Sequence, residues 1–568
     1  MANAQDIGQT EKFDVVIKGG LVIDGSGMPG FKSDVGIRDQ KVAFIGQIEA
    51  DQSEVCIDAE DQVVAPGFID PHTHFDAQLL WDGEAKPALG HGITTIVPGN
   101  CSLSLAPLKE AHRDGLIGMF RQIEELPKET FDGTAFEWTW ESFEDYLAAI
   151  RDQLSVNVAP LVGHSVIRMW VMGDAAQKRA ANDLEIEQMQ QLLRECLAAG
   201  AVGLSTSFVD IDANLFPVPS RWAHTEELDA LAAVLGEYGR MLQVVPEFYA
   251  TDITIARIDQ LADLSIKYNI PTTFSPLFDS SATPDNVPRA MARVREQMAR
   301  GARVWPQVQT RPIDISFCFD LPSLFFATNP AWFATMRLDR DAKITALTDP
   351  ESRAGLLGAA GPDGGAAWLG KLVVRHVPES AEGSNEQWLG KSLAEVAAAR
   401  EQDVAECMID LSLEHDLDVH FLSESMGHNE SDRVGPLLAD PMVHVGASDG
   451  GAHIASFATY GDTGYLFSEF VRNTHALSLE AAVKKITHDT ANIWGIHNRG
   501  LLQPGYAADV VVFDATTIAR GEERAVHDIP GSGMRYVRDA IGVKTVLVNG
   551  TVAYDQGQYK NARTGQIA

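Results

Sequence analysis

Residues 66–76 read PGFIDPHTHFD. The run 67–70 is apolar enough for a short buried strand, and Pro71 ends it because proline has no N–H to donate to a strand ladder. His72 and His74 follow two residues apart, and therefore on the same side of an extended chain. Two imidazoles in this arrangement predict half of a divalent metal site.

The sequence before this segment is typical of β-structure. Residues 13–24 read FDVVIKGGLVID, which predicts a hairpin that turns at Gly19-Gly20. Residues 35–46 repeat the pattern around Asp39-Gln40. The first 65 residues are therefore expected to form strands.

After residue 65 the pattern changes to alternating strands and helices, which predicts βα units and a parallel sheet. The clearest strands are 94–97, 156–161 and 241–245, and the clearest helices are 184–199, 226–238 and 255–268. Near residue 501 the chain returns to strands, at 509–514 and 543–548, with Asn549-Gly550 as a turn. Both chain ends are thus expected to build one small β domain beside a central α/β domain.

The stretch 329–392 fits this alternation least well, because it is rich in Gly, Ala and Asp. We interpret it as an insertion over the mouth of the central domain. A surface loop without function is the alternative.

Composition excludes several classes of protein. Of the 568 residues, 45% are hydrophobic and 22% charged, and the formal net charge is −34, which disfavours binding to nucleic acid or to anionic membranes. Cys56, Cys101, Cys196, Cys318 and Cys407 are too sparse and scattered for a disulfide framework. With no apolar signal segment at the N-terminus and no membrane span, a reducing, cytoplasmic location is expected.

Several further motifs follow the His-x-His segment and are distributed over most of the chain. The motifs are Gly99-Asn100-Cys101 after the second strand, Gly163-His164-Ser165 with Arg168, Gly203-Leu204-Ser205-Thr206, Ser448-Asp449-Gly450, and Arg499-Gly500-Leu501 through Ala508-Asp509. Together with residues 66–74 they resemble the amidohydrolase superfamily, and within it the D-aminoacylase (N-acyl-D-amino-acid deacylase) group.

The resemblance implies a fold and a set of domains. The fold class is α/β, with a (β/α)8 TIM-type barrel over residues 66–497 and a small β-sandwich formed by residues 1–65 and 498–568. In such barrels catalytic groups lie at the carboxyl ends of the strands.

The resemblance also implies roles for four residues. His72, His74 and Cys101 are metal ligands, and the thiolate favours zinc over magnesium or calcium. Asp449 follows the last predicted strand, where the superfamily places an aspartate that binds the metal and accepts the proton of the attacking water.

The sequence departs from the group at two positions. The group carries histidines after its fifth and sixth strands, whereas this chain reads MLQVVPE at 241–247 and TTFSP at 272–276. One metal held by His72, His74 and Asp449, with Cys101 nearby, is favoured over two. Glu247 or Gln243 as a replacement ligand, and a site without catalytic activity, are the alternatives.

Two further histidines are candidates for substrate contact. His164 lies near the end of a strand, with a structural hydrogen bond as the equal alternative. His453 lies four residues after Asp449, where it can contact substrate or polarise the scissile carbonyl.

The predicted function is metal-dependent hydrolysis of a C–N bond in a small molecule, with an N-acyl amino acid or related amide as the substrate class. The metal activates water, and Asp449 serves as base and then as acid. A hydrolase of cyclic amides, esters, lactones or aryl amides, and a non-catalytic binding protein, are the alternatives. A homo-oligomer is included among the expected states because barrels of this kind often assemble.

Overall fold

The structure is a computed structural model that describes residues 12–49, 52–132, 136–212, 214–248, 250–320, 329–360, 366–378, 385–446, 448–531 and 533–568. The predicted polar N-terminus falls largely outside these ranges, as do residues 361–365 and 379–384 of the predicted insertion. No helix in the described ranges is long and apolar enough to cross a membrane.

The secondary structure alternates as follows along the chain. The strands are β1 (Phe13–Val22), β2 (Phe31–Arg38), β3 (Lys41–Gly46), β4 (Ser53–Asp58), β5 (Val63–Pro66), β6 (Phe68–Asp70), β7 (Ile93–Ile96), β8 (Asn157–Val158), β9 (Leu161–Gly163), β10 (Gly203–Ser207), β11 (Met241–Val245), β12 (Thr272–Phe274), β13 (Val304–Val308), β14 (Ile313–Phe317), β15 (Val373–His376), β16 (His420–Gly427), β17 (His444–Val445), β18 (Val510–Phe513), β19 (Ala519–Ile529), β20 (Gly533–Ile541), β21 (Val543–Val548), β22 (Thr551–Asp555) and β23 (Gln558–Tyr559). The α-helices are α1 (Arg113–Ile123), α2 (Phe143–Arg151), α3 (His164–Met172), α4 (Asp183–Ala199), α5 (Thr225–Tyr238), α6 (Thr251–Tyr268), α7 (Asn286–Ala299), α8 (Pro330–Met336), α9 (Arg340–Thr348), α10 (Pro350–Ala359), α11 (Leu393–Ala399), α12 (Val404–Glu414), α13 (Ser431–Ala439), α14 (Asp462–Tyr465), α15 (Leu479–Lys484) and α16 (Thr490–Trp494), with π-helical turns at Leu466–Asn473 and Lys485–Asp489.

Both chain ends contribute to one nine-stranded sheet, as the strand patterns predict. Its order is β23-β22-β21-β18-β5-β1-β2-β3, with β4 also paired to β1. The antiparallel contact of β5 with β18 joins the two ends of the chain. Strands β19 and β20 form a separate two-stranded ribbon. The sandwich itself stays a prediction.

The expected hairpin at Gly19-Gly20 is wrong, because β1 runs through both glycines. The register of β1 against β2 shifts between Ile17 and Gly20, which marks a β-bulge. A Cβ on Gly20 would come within 2.4 Å of Val64, so glycine is needed for the close approach of β5. The hairpin at Asp39-Gln40 is confirmed, and both residues have positive φ.

The central α/β part contains parallel strands in two sheets. One has the order β6-β7-β8, and the other has the order β17-β13-β12-β11-β10-β9. Helices α5, α6 and α7 connect successive strands from β10 to β13. Leu161 N donates to Pro98 O at 2.9 Å, and a parallel bridge joins Thr73 to Gly450, so the two sheets meet on both sides.

A second apolar core lies in the region of the predicted insertion. Strands β14, β16 and β15 form an antiparallel sheet, and buried residues from Phe317 to Phe421 form a cluster of their own. This cluster includes residues on both sides of 329–392. The described residues of 313–427, which include the predicted insertion and are called the inserted unit below, therefore pack around a hydrophobic centre of their own. Their place over the mouth of the central domain stays a prediction.

Candidate metal centre

Three loops bring the candidate ligands together at the carboxyl ends of parallel strands. His72 and His74 follow β6, Cys101 follows β7, and Asp449 follows β17. His74 N donates to Gly450 O at 2.8 Å, which fixes the first loop against the last.

Two of the ligand candidates have left-handed backbone conformations. The φ angle is 54° at Cys101 and 58° at Asp449. Such a conformation costs a non-glycine residue on the order of 1–3 kcal/mol, and it persists where the surroundings impose it. Residues with strained backbones of this kind are concentrated at functional sites.

The ligand atoms of three residues lie close together, and Asp449 lies next to two of them. Cys101 Sγ lies 3.6 Å from His72 Nε2 and 3.7 Å from His74 Nε2. Asp449 Oδ1 lies 3.1 Å from His72 Nε2 and 3.8 Å from His74 Nε2. The ligand atoms of His72, His74 and Cys101 all lie within 4.8 Å of one another.

These separations fit a tetrahedral ion. Bond lengths of about 2.0–2.1 Å to nitrogen and about 2.3 Å to sulfur place tetrahedral N and S ligands about 3.6 Å apart. The two sulfur–nitrogen distances match this value, so the residues present fit a zinc-class ion.

Partners behind the two imidazoles orient them. His72 Nδ1 lies 3.2 Å from Gln307 Oε1, and His74 Nδ1 lies 2.8 Å from Glu124 Oε1. Each Nε2 is therefore turned toward the centre, which is the usual arrangement of metal-binding histidines. Burial lowers the pKa of His74 to about 4 and keeps it neutral, as metal binding requires.

Replacing Glu124 by Gln is expected to weaken zinc binding about 10- to 100-fold, because Glu124 lies 2.8 Å behind His74 Nδ1 and the substitution changes the group that orients this ring. The measurement is competition for zinc with a chromogenic chelator. Glu129→Gln is the control, since Glu129 is exposed. Equal zinc affinity in the Glu124 variant and the unsubstituted protein would show that this contact does not tune the centre.

Asp70 ties the ends of β6 and β17 together. Ser448 Oγ donates to Asp70 Oδ2 at 2.7 Å, and Gly450 N donates to Ser448 Oγ at 3.2 Å. Burial raises the pKa of Asp70 to about 7. This network holds the residues on either side of Asp449.

A cavity of about 510 Å³ opens onto the candidate centre. His72, Cys101 and Asp449 line one side of it. Its other walls are largely apolar, and they include Val209, Ile211, Phe248, Phe278, Ile313, Ile315, Phe317 and Phe457. A small molecule with an apolar group fits such a cavity.

The positions of the two missing histidines present other side chains. Val245, Ser275 and Pro276 line the cavity there. Glu247 is bound by Arg257, with Nε–Oε2 and Nη2–Oε1 distances of 2.9 and 2.8 Å, and it lines a different cavity. This pairing disfavours Glu247 as a replacement ligand.

His164 is buried in a network away from the candidate centre. Its Nδ1 lies 2.9 Å from Thr206 Oγ1 and its Nε2 lies 2.8 Å from Glu227 Oε1. Arg168 also bonds Glu227. His164 lines the same separate cavity as Glu247. This geometry favours the structural alternative over substrate contact.

His453 lines the cavity of the candidate centre, as its position after Asp449 predicts. Its ring stacks on Phe457 with centroids 5.3 Å apart, and its Nδ1 lies 3.9 Å from Glu125 Oε1. The side chain is partly exposed and faces space that a substrate can occupy.

Sequence reasoning did not single out Glu124 or Gln307. Glu124 lies just beyond the end of α1, and nothing in its neighbourhood signals contact with a distant histidine. Gln307 carries a weak signal, because it is a polar residue near the carboxyl end of a buried strand, β13.

Comparison with known proteins identifies the family of this chain. The amidohydrolase family model matches residues 55–264 and 366–554. D-aminoacylase of Alcaligenes xylosoxydans xylosoxydans is 27% identical over 98% of each chain, and N-acyl-D-glutamate deacylase of the same organism is 30% identical over 98% of this chain and 96% of its own. The solved N-acyl-D-glutamate deacylase of Bordetella bronchiseptica, complexed with zinc and a phosphonate inhibitor, has a TM-score of 0.69, with 26% identity over 98% and 99% of the two chains.

The chain therefore belongs to the amidohydrolase family, and its fold is the α/β fold of that family. Within the family it falls in the D-aminoacylase-like group, and it is a hydrolase of carbon–nitrogen bonds other than peptide bonds.

Proposed function

We propose that the protein hydrolyses the amide bond of an N-acyl amino acid or a related small amide, with one divalent ion, zinc by preference, held by His72, His74, Cys101 and Asp449. The close approach of the His72, His74 and Cys101 ligand atoms, with Asp449 Oδ1 beside both imidazoles, carries the proposal. The relatives that deacylate N-acyl-D-amino acids support the substrate class.

The chemistry divides between the ion and the side chains. A bound zinc ion supplies a Lewis acid that polarises a carbonyl and acidifies water. Asp449 accepts the proton of the attacking water and returns it to the leaving nitrogen. His453, which lines the same cavity, contacts the substrate and donates a hydrogen bond to the scissile carbonyl.

The cavity suggests how an N-acyl amino acid binds. Its apolar walls suit an acyl chain or an apolar side chain. Arg121 is the lining residue, among those described, that carries a permanent positive charge, and it is the proposed partner of the substrate carboxylate.

One ion at this centre is favoured over two. Val245 and Pro276 offer no ligand atoms from their side chains, and Glu247 is held by Arg257. Gln243 is fully buried with neither amide atom hydrogen-bonded to another described residue, but an amide is a weak ligand for zinc.

We also propose that the two parallel sheets close into one (β/α)8 barrel. The order β6-β7-β8 continues through the Leu161–Pro98 bond into β9, and β17 returns to β6 through the Thr73–Gly450 bridge. Closure would place every candidate ligand at one rim, where barrel enzymes hold their active sites.

Metal analysis of a ligand variant tests the proposal. His72→Ala is expected to lose one equivalent of zinc per chain relative to the unsubstituted protein, and to lose hydrolysis of a panel of N-acyl amino acids of both configurations. The control is His497→Ala, at an exposed histidine. Unchanged zinc content in His72→Ala would refute the assignment, and cleavage of cyclic amides or esters alone would replace the substrate class.

A further inference from the structure

A second group of soft metal ligands lies on the inserted sheet. Cys318, Asp418 and His420 offer ligand atoms that all lie within 4.8 Å of one another. Cys318 and His420 are buried, at 4% and 2% exposure. They line the same cavity as His72 and Asp449.

The register of the sheet creates this group. Phe317 on β14 pairs with Phe421 on β16 in antiparallel register, so the next residues, Cys318 and His420, lie opposite each other. Side chains opposite each other on neighbouring strands point to the same face. The residue before Val419, Asp418, completes the group.

The contacts of His420 fix the direction of its ring. Its Nδ1 donates to the carbonyl oxygen of Ala455 at 3.1 Å, because a carbonyl only accepts. Its Nε2 lies 3.2 Å from Oδ1 of Asp418. A nitrogen, a carboxylate oxygen and a sulfur atom therefore lie within ligand distance of one another.

We infer that Cys318, Asp418 and His420 bind a second, thiophilic divalent cation of the zinc class, with a fourth position open to water. One sulfur, one nitrogen and one carboxylate ligand suit zinc rather than magnesium or calcium. A bond from the other ring nitrogen to a backbone carbonyl is the arrangement that orients metal-binding histidines. Cys318 lies outside the residues that the family model matches.

The site would connect the inserted unit to the catalytic loop. Ala455 belongs to the same loop as Asp449 and His453, and Ala455 N donates to Glu125 Oε2 at 2.9 Å. An ion that holds His420 in place therefore also holds the Ala455 carbonyl. Binding of an ion by Cys318, Asp418 and His420 does not depend on chemistry at the first centre.

Cobalt titration of metal-free full-length protein tests the site, because cobalt bound to thiolate gives an intense charge-transfer absorption. The unsubstituted protein is expected to bind two cobalt ions with contributions from two thiolates. Cys101→Ser and Cys318→Ser should each lose about half of this absorption, and the double variant should lose all of it. The control is Cys407→Ser, a buried cysteine of the same inserted unit, which should keep the full absorption.

Asp418→Asn keeps the test valid if Cys318→Ser folds poorly, since the Asp418 side chain is 51% exposed. This substitution is expected to weaken the binding of cobalt at the second site by at least about 10-fold, without affecting its binding at the first site. Full absorption in Cys318→Ser, or unchanged affinity for both ions in Asp418→Asn, would overturn the inference and leave the proposed function intact. If the charge-transfer absorption of cobalt is lost in Cys101→Ser and is unchanged in Cys318→Ser, the first centre is the sole thiolate site.

Discussion

Asp449→Asn is expected to lower kcat/KM for an N-acyl amino acid by about 10²- to 10⁴-fold, the range that a positioned general base contributes. The amide keeps the shape of the side chain but cannot accept the proton of the attacking water. Asp449 Oδ1 lies 3.1 Å from His72 Nε2, so the substitution also removes a negative charge from the centre. The measurement is steady-state kinetics with zinc in excess.

Excess zinc separates the two effects of this substitution. If Asp449 were a ligand alone, saturation with zinc would restore much of the activity. If it is the base, kcat stays low at full zinc occupancy. Asp432→Asn is the control, because Asp432 is an exposed carboxylate at the start of α13. Activity near that of the control would remove Asp449 from the mechanism.

Arg168→Met is expected to lower the free energy of unfolding by about 3–5 kcal/mol, the cost of leaving one partner of a buried ion pair without the other. Arg168 and Glu227 are 0% and 1% exposed, and Glu227 also bonds His164. The methionine fills much of the volume but leaves the Glu227 carboxylate without its cation. Urea denaturation followed by circular dichroism measures the change.

The pH dependence of the same variant identifies the cause. His164 and Arg168 outweigh burial and lower the pKa of Glu227 in the folded protein. This contribution to stability is present above the ordinary glutamate pKa and is lost as the pH falls through the folded-state pKa. The difference between Arg168→Met and the unsubstituted protein should therefore be larger at about pH 6 than at about pH 3.

Arg179→Met is the matched control for this experiment, because it removes the same side chain from an exposed pair with Glu185. Its effect on unfolding should be small, since solvent screens exposed ion pairs. A pH-independent loss in Arg168→Met equal to that in Arg179→Met would show that the buried pair does not stabilise the fold.

The sequence by itself determined the features that depend on neighbouring residues. The His-x-His spacing places two imidazoles on one side of the chain after β6, and period-two and helical patterns predicted β11, β21, α4 and α5 to within one residue of their observed ends. The motifs that hold Cys101 and Asp449 follow predicted strands, and the structure places both residues after strands, β7 and β17, while their roles at a metal stay a proposal. These signals survive because strand periodicity and turn chemistry act over a few residues.

Local patterns failed where backbone geometry had more than one solution. The glycine pair at 19–20 permits either a turn or a bulge. The structure has the bulge, and Val64 of β5 packs closely against Gly20 there. Glu247 carried the chemistry of a metal ligand, but Arg257 on α6 binds it and turns it toward another cavity.

The tertiary structure alone decided which polar groups meet. Gln307 contacts His72 across 235 residues of sequence, and Cys318 meets His420 through the register of β14 and β16. The sequence leaves open whether His164 contacts substrate or another part of the protein. In the structure its Nε2 lies 2.8 Å from the buried carboxylate of Glu227. A buried charged group is stable only when it is paired with another polar group. Which polar group lies close enough to pair with it depends on how the sheets pack, and not on the spacing of the two residues in the sequence.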